Sequence, residues 1–162
     1  MIVIENLHWQ YKNFVITIDH LTLQKGICLL AGSNGAGKST FLHLLATVKR
    51  TDSGMIYYDE RPIHEQLLEI RSLIGFVPTG VELYQDFTPV KLLHYFAQLK
   101  GMPNHLSKLQ IAKLLRVFGL EKVAKKKIKK LSQGMQQRLT LAQSLLGKPK
   151  YIFLDEPLNY LD

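Results

Sequence analysis

The sequence predicts an α/β fold in which a mostly parallel sheet follows an antiparallel β region and is interrupted by a helical subdomain. Three observations support this prediction. Short strand-like runs separated by turns fill the first part of the chain, a helical period replaces them over residues 92–118, and an apolar strand-like run returns at Tyr151–Leu154. Strands, then helices, then a strand is the order expected of a sheet that carries an inserted subdomain.

The predicted strands differ in their apolar pattern. Ile2–Ile4 and the alternating run Phe14–Ile18 are typical of strands with one buried face. Ile27–Ala31 is continuously apolar, which predicts a strand buried on both faces, as in a parallel sheet. Gly54–Tyr58 and Ile74–Val77 are predicted to be further short strands.

Helical periods account for most of the remaining chain. A helix is predicted from about residue 38 to residue 47, and another from about Gln133 to Leu146. Between them, two sets of apolar residues each fit one helical face, and Gly101–Pro103 separates the sets. These sets are Leu92, Leu93, Phe96 and Leu99, and Ile111, Leu114, Leu115 and Phe118.

Composition is that of a folded chain of one domain: 162 residues, 46% hydrophobic and 21% charged. No apolar run approaches the roughly 20 residues of a membrane-spanning helix, and no secretory signal is visible. The single cysteine, Cys28, cannot form an internal disulfide, which indicates a reducing, cytosolic setting.

The formal net charge of +8 is concentrated in one stretch, since six of the nine residues Lys122–Lys130 are lysine. Such a patch can bind nucleic acid or an anionic membrane, or it can simply be a solvated surface. No aromatic residue is interleaved with the lysines to stack on bases, so the charge alone does not argue for nucleic-acid binding.

A glycine-rich segment between the run Ile27–Ala31 and the first helix matches the phosphate-binding Walker A pattern in full. Backbone N–H groups of such a loop and the N-terminus of the following helix face phosphate oxygens. Lys38 is expected to contact the β- and γ-phosphates, and the Ser39 hydroxyl to bind Mg²⁺. The sequence therefore predicts a P-loop NTPase core that binds ATP. The predicted nucleotide-binding residues are Gly32, Ser33, Asn34, Gly35, Ala36, Gly37, Lys38, Ser39 and Thr40.

A second motif follows the run Tyr151–Leu154, which delivers Asp155 and Glu156 at its end. In P-loop proteins an acid at this position holds Mg²⁺, a role predicted here for Asp155. Glu156 is then placed to orient or deprotonate the attacking water. Lys38 and Glu156 are therefore the predicted catalytic residues.

The segment Leu131–Arg138, Leu-Ser-Gln-Gly-Met-Gln-Gln-Arg, resembles the Leu-Ser-Gly-Gly-Gln signature of ABC transporter nucleotide-binding domains. The resemblance extends over nearly the whole chain and implies one such domain over residues 1–162. Its ATP-binding core would comprise about residues 1–80 and 148–162, and its helical subdomain about residues 86–147. It also implies that Ser132 and Gly134 face the γ-phosphate of ATP bound to a second nucleotide-binding domain.

Further positions match the family. Tyr11 corresponds to the aromatic residue that stacks on adenine, although Trp9 is close enough to compete. Residues 159–162 resemble the D-loop, whose aspartate, here Asp162, meets the Walker A loop of the partner domain. The run Ile74–Thr79 and the Gly134-Met135 form of the signature resemble exporters of the drug, antibiotic or bacteriocin type.

Two departures from the family pattern stand out. Thr79 occupies the position of a glutamine that contacts Mg²⁺, and its shorter hydroxyl would act through water; Gln85 is nearby, but its spacing does not match. The chain also ends at Asp162, where the family continues with a strand that bears the switch histidine. That strand lies between the Walker A and Walker B strands, so the resemblance implies an incomplete domain whose two strands lack a shared neighbour.

Three functions are consistent with these features. The resemblance favours an ATPase subunit that associates with a separate membrane permease at the inner face of the cell membrane. A nucleotide-binding module without turnover is the alternative suggested by Thr79 and the absent histidine. An ABC ATPase of DNA repair or translation is a third possibility, which the lysine run keeps open.

Overall fold

The computed structural model describes residues 1–80 and 83–159. The chain divides into two compact units, Met1–Arg71 and Ser72–Asp162. The first unit contains an antiparallel sheet and two helices, and the second contains a parallel strand pair and three longer helices. In the described ranges we find no helix long and apolar enough to cross a membrane.

The sheet of the first unit has the strand order β2-β1-β3-β4, and every neighbouring pair is antiparallel. Strand β1 is central and pairs with β2 along one edge and with β3 along the other. A register shift between Glu5 and His8 inserts one residue into β1, so the buried side chains change from even to odd positions along the strand. The strands are β1 (Ile2–Tyr11), β2 (Phe14–Leu23), β3 (Ser53–Tyr58) and β4 (Arg61–Pro62).

Two helices complete this unit: α1 (Lys38–Leu45) and α2 (Leu67–Ser72). The buried Tyr58 hydroxyl donates to the Leu45 carbonyl, which joins β3 to the end of α1. The Arg71 guanidinium donates to the Thr47 hydroxyl at 2.9 Å and to its carbonyl at 3.0 Å. These bonds satisfy carbonyls at the C-terminal end of α1, where a helix lacks internal partners.

The second unit is built from strands β5 (Ile74–Val77) and β6 (Tyr151–Leu154), which pair in parallel. Among the described residues between them lie three α-helices, α3 (Pro89–Leu99), α4 (Asn104–Val117) and α5 (Gln133–Ser144). Two short 3₁₀ helices, Glu121–Val123 and Ile128–Lys130, connect α4 to α5. Apolar faces of the three α-helices form one core, as their helical periods predict, except that Leu99 at the end of α3 is 65% exposed. Its most buried members are Leu92, Leu93, Ala97, Ile111, Leu115, Leu120, Ile128, Leu139, Ala142 and Leu146.

Two contacts fix the helices of the second unit against its strands. The Lys100 ammonium donates to the carbonyls of Ile74 at 2.9 Å and Leu146 at 3.0 Å, and burial lowers the pKa of this lysine. At Gly75, an added Cβ would lie 2.2 Å from the Ser144 carbonyl oxygen. Only glycine therefore allows β5 to approach α5 this closely.

The structure corrects the prediction that Ile27–Ala31 is a strand buried on both faces. These residues belong to no strand, Ile27 is fully exposed, and Leu29 is 87% exposed. Strands need hydrogen-bonded neighbours, and β1–β4 and β5–β6 pair only among themselves in the described ranges. Ile152 and Leu154 on β6 are also exposed. The apolar pattern of these two runs therefore does not by itself place every side chain in the core.

This exposure can be tested by substitution. We expect Leu29→Ser to change the free energy of unfolding by less than about 0.5 kcal/mol, because the side chain contacts water already. Leu7→Ala, which truncates a fully buried side chain of β1, should cost about 2–5 kcal/mol. Urea unfolding of the two variants beside the parent chain measures the difference. A cost at Leu29 comparable with that at Leu7 would contradict the exposed position.

Candidate functional site

The glycine-rich loop of the first unit leads directly into α1. Residues 32–36 are exposed, Gly37 is the N-cap residue, and the helix starts at Lys38. No side chain within the described residues caps this helix start. The N–H groups of its first turn therefore face outward with the partial positive charge of the helix N-terminus, which favours an anion.

Gly37 is required for the shape of this loop on two grounds. Its φ of +92° lies in the left-handed region that side chains disfavour. A Cβ at this position would also lie 2.5 Å from the Phe14 ring on β2. The backbone turn into α1 thus depends on the absence of a side chain at Gly37.

The Lys38 side chain folds back across the loop. Its ammonium donates to the carbonyls of Gly32 and Ser33, each at 2.7 Å. The positive charge is thereby held at the loop and not extended into solvent. Farther along α1, the Ser39 carbonyl lies 2.6 Å from a ring nitrogen of His43, while Thr40 is half-buried.

The structure distinguishes the two aromatic residues near the end of β1. Trp9 is buried and contacts the edge of the Phe14 ring, with ring centroids 6.3 Å apart. Tyr11 is 60% exposed and stacks beside Trp9, also with centroids 6.3 Å apart. Tyr11 is therefore the residue whose ring has a surface available to a ligand.

The carboxyl ends of β5 and β6 bring the second set of predicted residues together. The parallel register pairs Val77 with Leu154, so the residues that follow each strand meet at one edge. Asp155 donates its N–H to the Val77 carbonyl at 2.8 Å, and the Thr79 hydroxyl donates to the Asp155 carbonyl at 3.0 Å. Thr79 thus contacts the backbone of Asp155, the residue whose carboxylate is predicted to hold Mg²⁺.

Asp155 is 5% exposed, and its Oδ2 has no hydrogen-bond partner within the described residues. A buried carboxylate oxygen without a partner is costly, which makes a cation or its water shell a favourable neighbour. Mg²⁺ takes oxygen ligands and is usually held by one or two carboxylates together with substrate phosphates. The carboxylate of Asp155 and the hydroxyl of Thr79 fit such an ion.

The Glu156 carboxylate contacts Asn159, and sequence analysis did not predict this contact. Glu156 has a φ of +49°, and its Oε2 accepts a hydrogen bond of 2.8 Å from the Asn159 side chain. The Gln137 side chain of α5 donates to the Pro157 carbonyl at 3.0 Å, which ties this turn to the helix. An asparagine three residues after an acid is a local signal of a turn, and it could have suggested the contact.

The signature segment forms the N-terminus of α5. Ser132 is the N-cap residue, and its hydroxyl accepts a bond of 3.2 Å from the Met135 N–H. Gly134 is half-buried in the first turn of the helix. Asp162 of the predicted D-loop lies outside the described residues.

The exposed glycine loop with its lysine, and the buried aspartate at a strand end, define the chain as a P-loop nucleotide-binding protein. The sequence profile of the family described as ABC transporter matches residues 18–159. The chain therefore belongs to the ABC transporter family, as its signature segment predicted.

Curated relatives cover nearly all of the chain. The uncharacterised ABC transporter ATP-binding protein YxlF of Bacillus subtilis is 36% identical over 165 residues, which span 100% of this chain and 54% of that protein. Nod factor export ATP-binding protein I of Burkholderia pseudomallei is 37% identical over 91% of this chain and 49% of its own length. The chain thus spans about half the length of these relatives.

Solved structures confirm the predicted fold class. The dimeric bacterial ABC transporter cassette MJ0796 superposes with a TM-score of 0.85 at 26% identity, over 100% of this chain and 76% of that chain. Its post-hydrolysis state with ADP and phosphate also gives a TM-score of 0.85, at 25% identity over the same shares. The fold is therefore that of an ABC ATPase cassette.

The requirement for Gly37 predicts a specific loss of stability. Gly37→Ala should cost at least about 1–2 kcal/mol from the left-handed backbone, with a further cost from the contact with Phe14. Gly32→Ala is the matched control, because a Cβ there makes an ordinary contact of 3.6 Å with Ala36. Urea unfolding measures both, and equal stability of the two variants would contradict the role of Gly37.

Proposed function

We propose that this chain is the ATP-binding subunit of an ABC transporter of the exporter type. It drives a separate membrane permease by binding and hydrolysing ATP. The observation that carries the proposal is the loop of residues 32–37, which ends at the uncapped start of α1 with the Lys38 ammonium held across it. This arrangement suits a chain of phosphates.

ATP is expected to bind through its phosphates to the glycine-rich loop and through its adenine to Tyr11. When phosphates are present, Lys38 exchanges its bonds to the loop carbonyls for bonds to the β- and γ-phosphates. The loop N–H groups and the dipole of α1 add to this attraction. The exposed ring of Tyr11 supports stacking on adenine.

Mg²⁺ would be held by Ser39, Asp155 and Thr79. When bound, the ion neutralises the charge that develops on the transferred phosphoryl group. Among the described residues the buried Oδ2 of Asp155 has no hydrogen-bond partner, which supports its part in this site. Thr79 has a shorter side chain than a glutamine, so its hydroxyl oxygen would act on the ion through a water molecule.

Hydrolysis requires a group that orients and deprotonates the attacking water, and Glu156 is proposed for this role. The bond from Asn159 fixes one oxygen of the Glu156 carboxylate and leaves the other oxygen to accept from water. Asn159 is therefore a positioning residue in this proposal.

The active assembly would contain two nucleotide-binding domains. Ser132 and Gly134 at the start of α5 would face the γ-phosphate of ATP on the partner domain, where the helix N-terminus favours negative charge. The dimeric state of the similar MJ0796 cassette supports this arrangement. Asp162 would contact the Walker A loop of the partner.

The exporter assignment is supported by the Nod factor export protein among the relatives. Residues 79–84 are proposed to contact the permease, although Val81 and Glu82 lie outside the described residues. Through this contact the chain would sit on the cytoplasmic face of the membrane.

One observation favours a second function, a module that binds nucleotide without turnover. The Thr79 hydroxyl replaces the family glutamine, and its proton is engaged by the Asp155 carbonyl. A weaker link to Mg²⁺ would slow hydrolysis while leaving the binding loop intact. Steady ATP hydrolysis above that of a Glu156→Gln variant would exclude this function.

Binding and turnover can be separated by two substitutions. Lys38→Ala should weaken ATP binding by about 10- to 100-fold, because a hydrogen bond to a charged group contributes about 1.5–3 kcal/mol. Glu156→Gln should keep the affinity and lower turnover by about 10²- to 10⁴-fold. Calorimetry and a phosphate-release assay measure these effects. Lys25→Ala, which removes an exposed lysine, is the control, and equal ATP affinity in all variants would refute the assignment of the loop.

The role of Asp155 can be tested through Mg²⁺ removal. We expect ATP to raise the melting temperature more with Mg²⁺ than with a chelator present. Asp155→Asn should abolish this difference and leave the melting temperature of the free chain unchanged or raised, because it removes an uncompensated buried charge. Asp19→Asn, at an exposed position of β2, should keep the Mg²⁺ effect. Retention of the effect in Asp155→Asn would contradict the metal site.

A further inference from the structure

A compact group of cations lies between α4 and α5 and takes no part in the proposed nucleotide chemistry. Six of the nine residues 122–130 are lysine, and all six side chains are exposed. We call this group the lysine cluster. Its members are Lys122, Lys125, Lys126, Lys127, Lys129 and Lys130.

The backbone that carries the lysine cluster is fixed to the helical core. The Ile128 N–H donates to the Phe87 carbonyl at 2.8 Å, and the Lys129 N–H donates to the Gln85 carbonyl at 3.1 Å. The Ala124 carbonyl accepts from the Val90 N–H at 3.2 Å, and the Ile128 side chain is fully buried. The lysines therefore project from a set position, which lowers the entropy cost of binding a ligand.

The positive charge of the lysine cluster is largely uncompensated. Asp86 accepts from Lys129 at 2.9 Å and from Lys127 at 3.3 Å, and these bonds hold the pKa of its carboxyl below the usual value. Over the part of the chain that the structure describes, the remaining four lysines form no ion pair. Like charges held this close repel one another, and a bound anion relieves that repulsion.

The surface at the cluster is concave. A depression of about 590 Å³ is lined by Lys125, Lys126, Lys127 and Lys130. A phosphate group in this depression can be approached by several ammonium groups at once, which strengthens its binding over that to a single surface lysine. The four lysines that line the depression thus favour a phosphate-bearing ligand.

We propose that the lysine cluster binds the phosphate headgroups of an anionic lipid surface. A headgroup projects from a membrane and can enter the depression, whereas the backbone of duplex nucleic acid is convex and rigid. Single-stranded nucleic acid is disfavoured because residues 122–130 contain no aromatic side chain to stack on bases. Ile128, the large apolar residue of the segment 122–130, is buried and cannot insert into the membrane. Binding through this segment is therefore electrostatic.

The test uses the full chain without nucleotide, so it does not depend on the proposed ATPase function. Binding is measured by co-sedimentation with vesicles of phosphatidylcholine, with and without phosphatidylglycerol. We expect binding only to the phosphatidylglycerol vesicles, and weaker binding as the salt concentration rises. Binding to neither vesicle, or equal binding to both, would overturn the proposal.

Substitutions locate the binding surface. The triple variant Lys125→Gln, Lys126→Gln, Lys130→Gln should bind about 100-fold more weakly, at about fivefold for each lysine near the membrane. The matched control, Lys25→Gln, Lys108→Gln, Lys113→Gln, loses the same charge from exposed positions elsewhere and should bind nearly as the parent does. Equal weakening of the two variants would mean that net charge alone is responsible, and would overturn the site.

Two further measurements test whether binding depends on charge and whether another phosphate-bearing ligand binds more tightly than lipid. Replacing the same three cluster lysines by arginine keeps the charge and should keep binding, and loss of binding in this variant would contradict an electrostatic site. Inorganic pyrophosphate and duplex DNA are titrated separately at the same salt concentration. Tighter binding of either one than of phosphatidylglycerol vesicles, with the same dependence on the cluster, would assign the surface to that ligand and overturn the lipid proposal.

Discussion

Backbone N–H and carbonyl groups must find hydrogen-bond partners wherever the chain is buried, and both units are organised by this requirement. In the first unit β1 pairs on both edges, so it becomes the centre of the sheet and of the core beneath it. In the second unit β5 and β6 pair with each other, so the backbone groups along one edge of each strand have hydrogen-bond partners. Their parallel register places Thr79 and Asp155 at one end, where their hydrogen bond forms.

The two sets of candidate residues are positioned in different ways. Glycine allows the loop before α1 to adopt backbone angles that a side chain would exclude, and Lys38 then closes over it. The acids are held differently: Asp155 is buried on a strand end, and Glu156 is fixed by the Asn159 amide. A carboxylate placed in this way needs little rearrangement when charge develops near it, which is the basis of electrostatic preorganisation.

Much of the site could be predicted from the sequence because its determinants are local. The phosphate loop depends on glycines within a few residues of Lys38, and the start of α5 depends on a serine cap directly before Gln133. Strand β6 and the core faces of α3, α4 and α5 follow from apolar periodicity over short windows. The short elements α2 and β4 were not predicted, since neither is long enough to show a period.

The sequence by itself therefore determined the nucleotide-binding motifs, the helical insertion and the family, because each depends on patterns of residues that lie close together along the chain. Only the tertiary structure decided that Ile27–Ala31 is exposed, that Tyr11 rather than Trp9 is accessible, and that Asn159 contacts Glu156. Burial of an apolar run depends on a neighbouring strand, and the sequence pattern of the run does not specify whether that neighbour is present. Contacts between side chains likewise depend on the backbone geometry that brings them together.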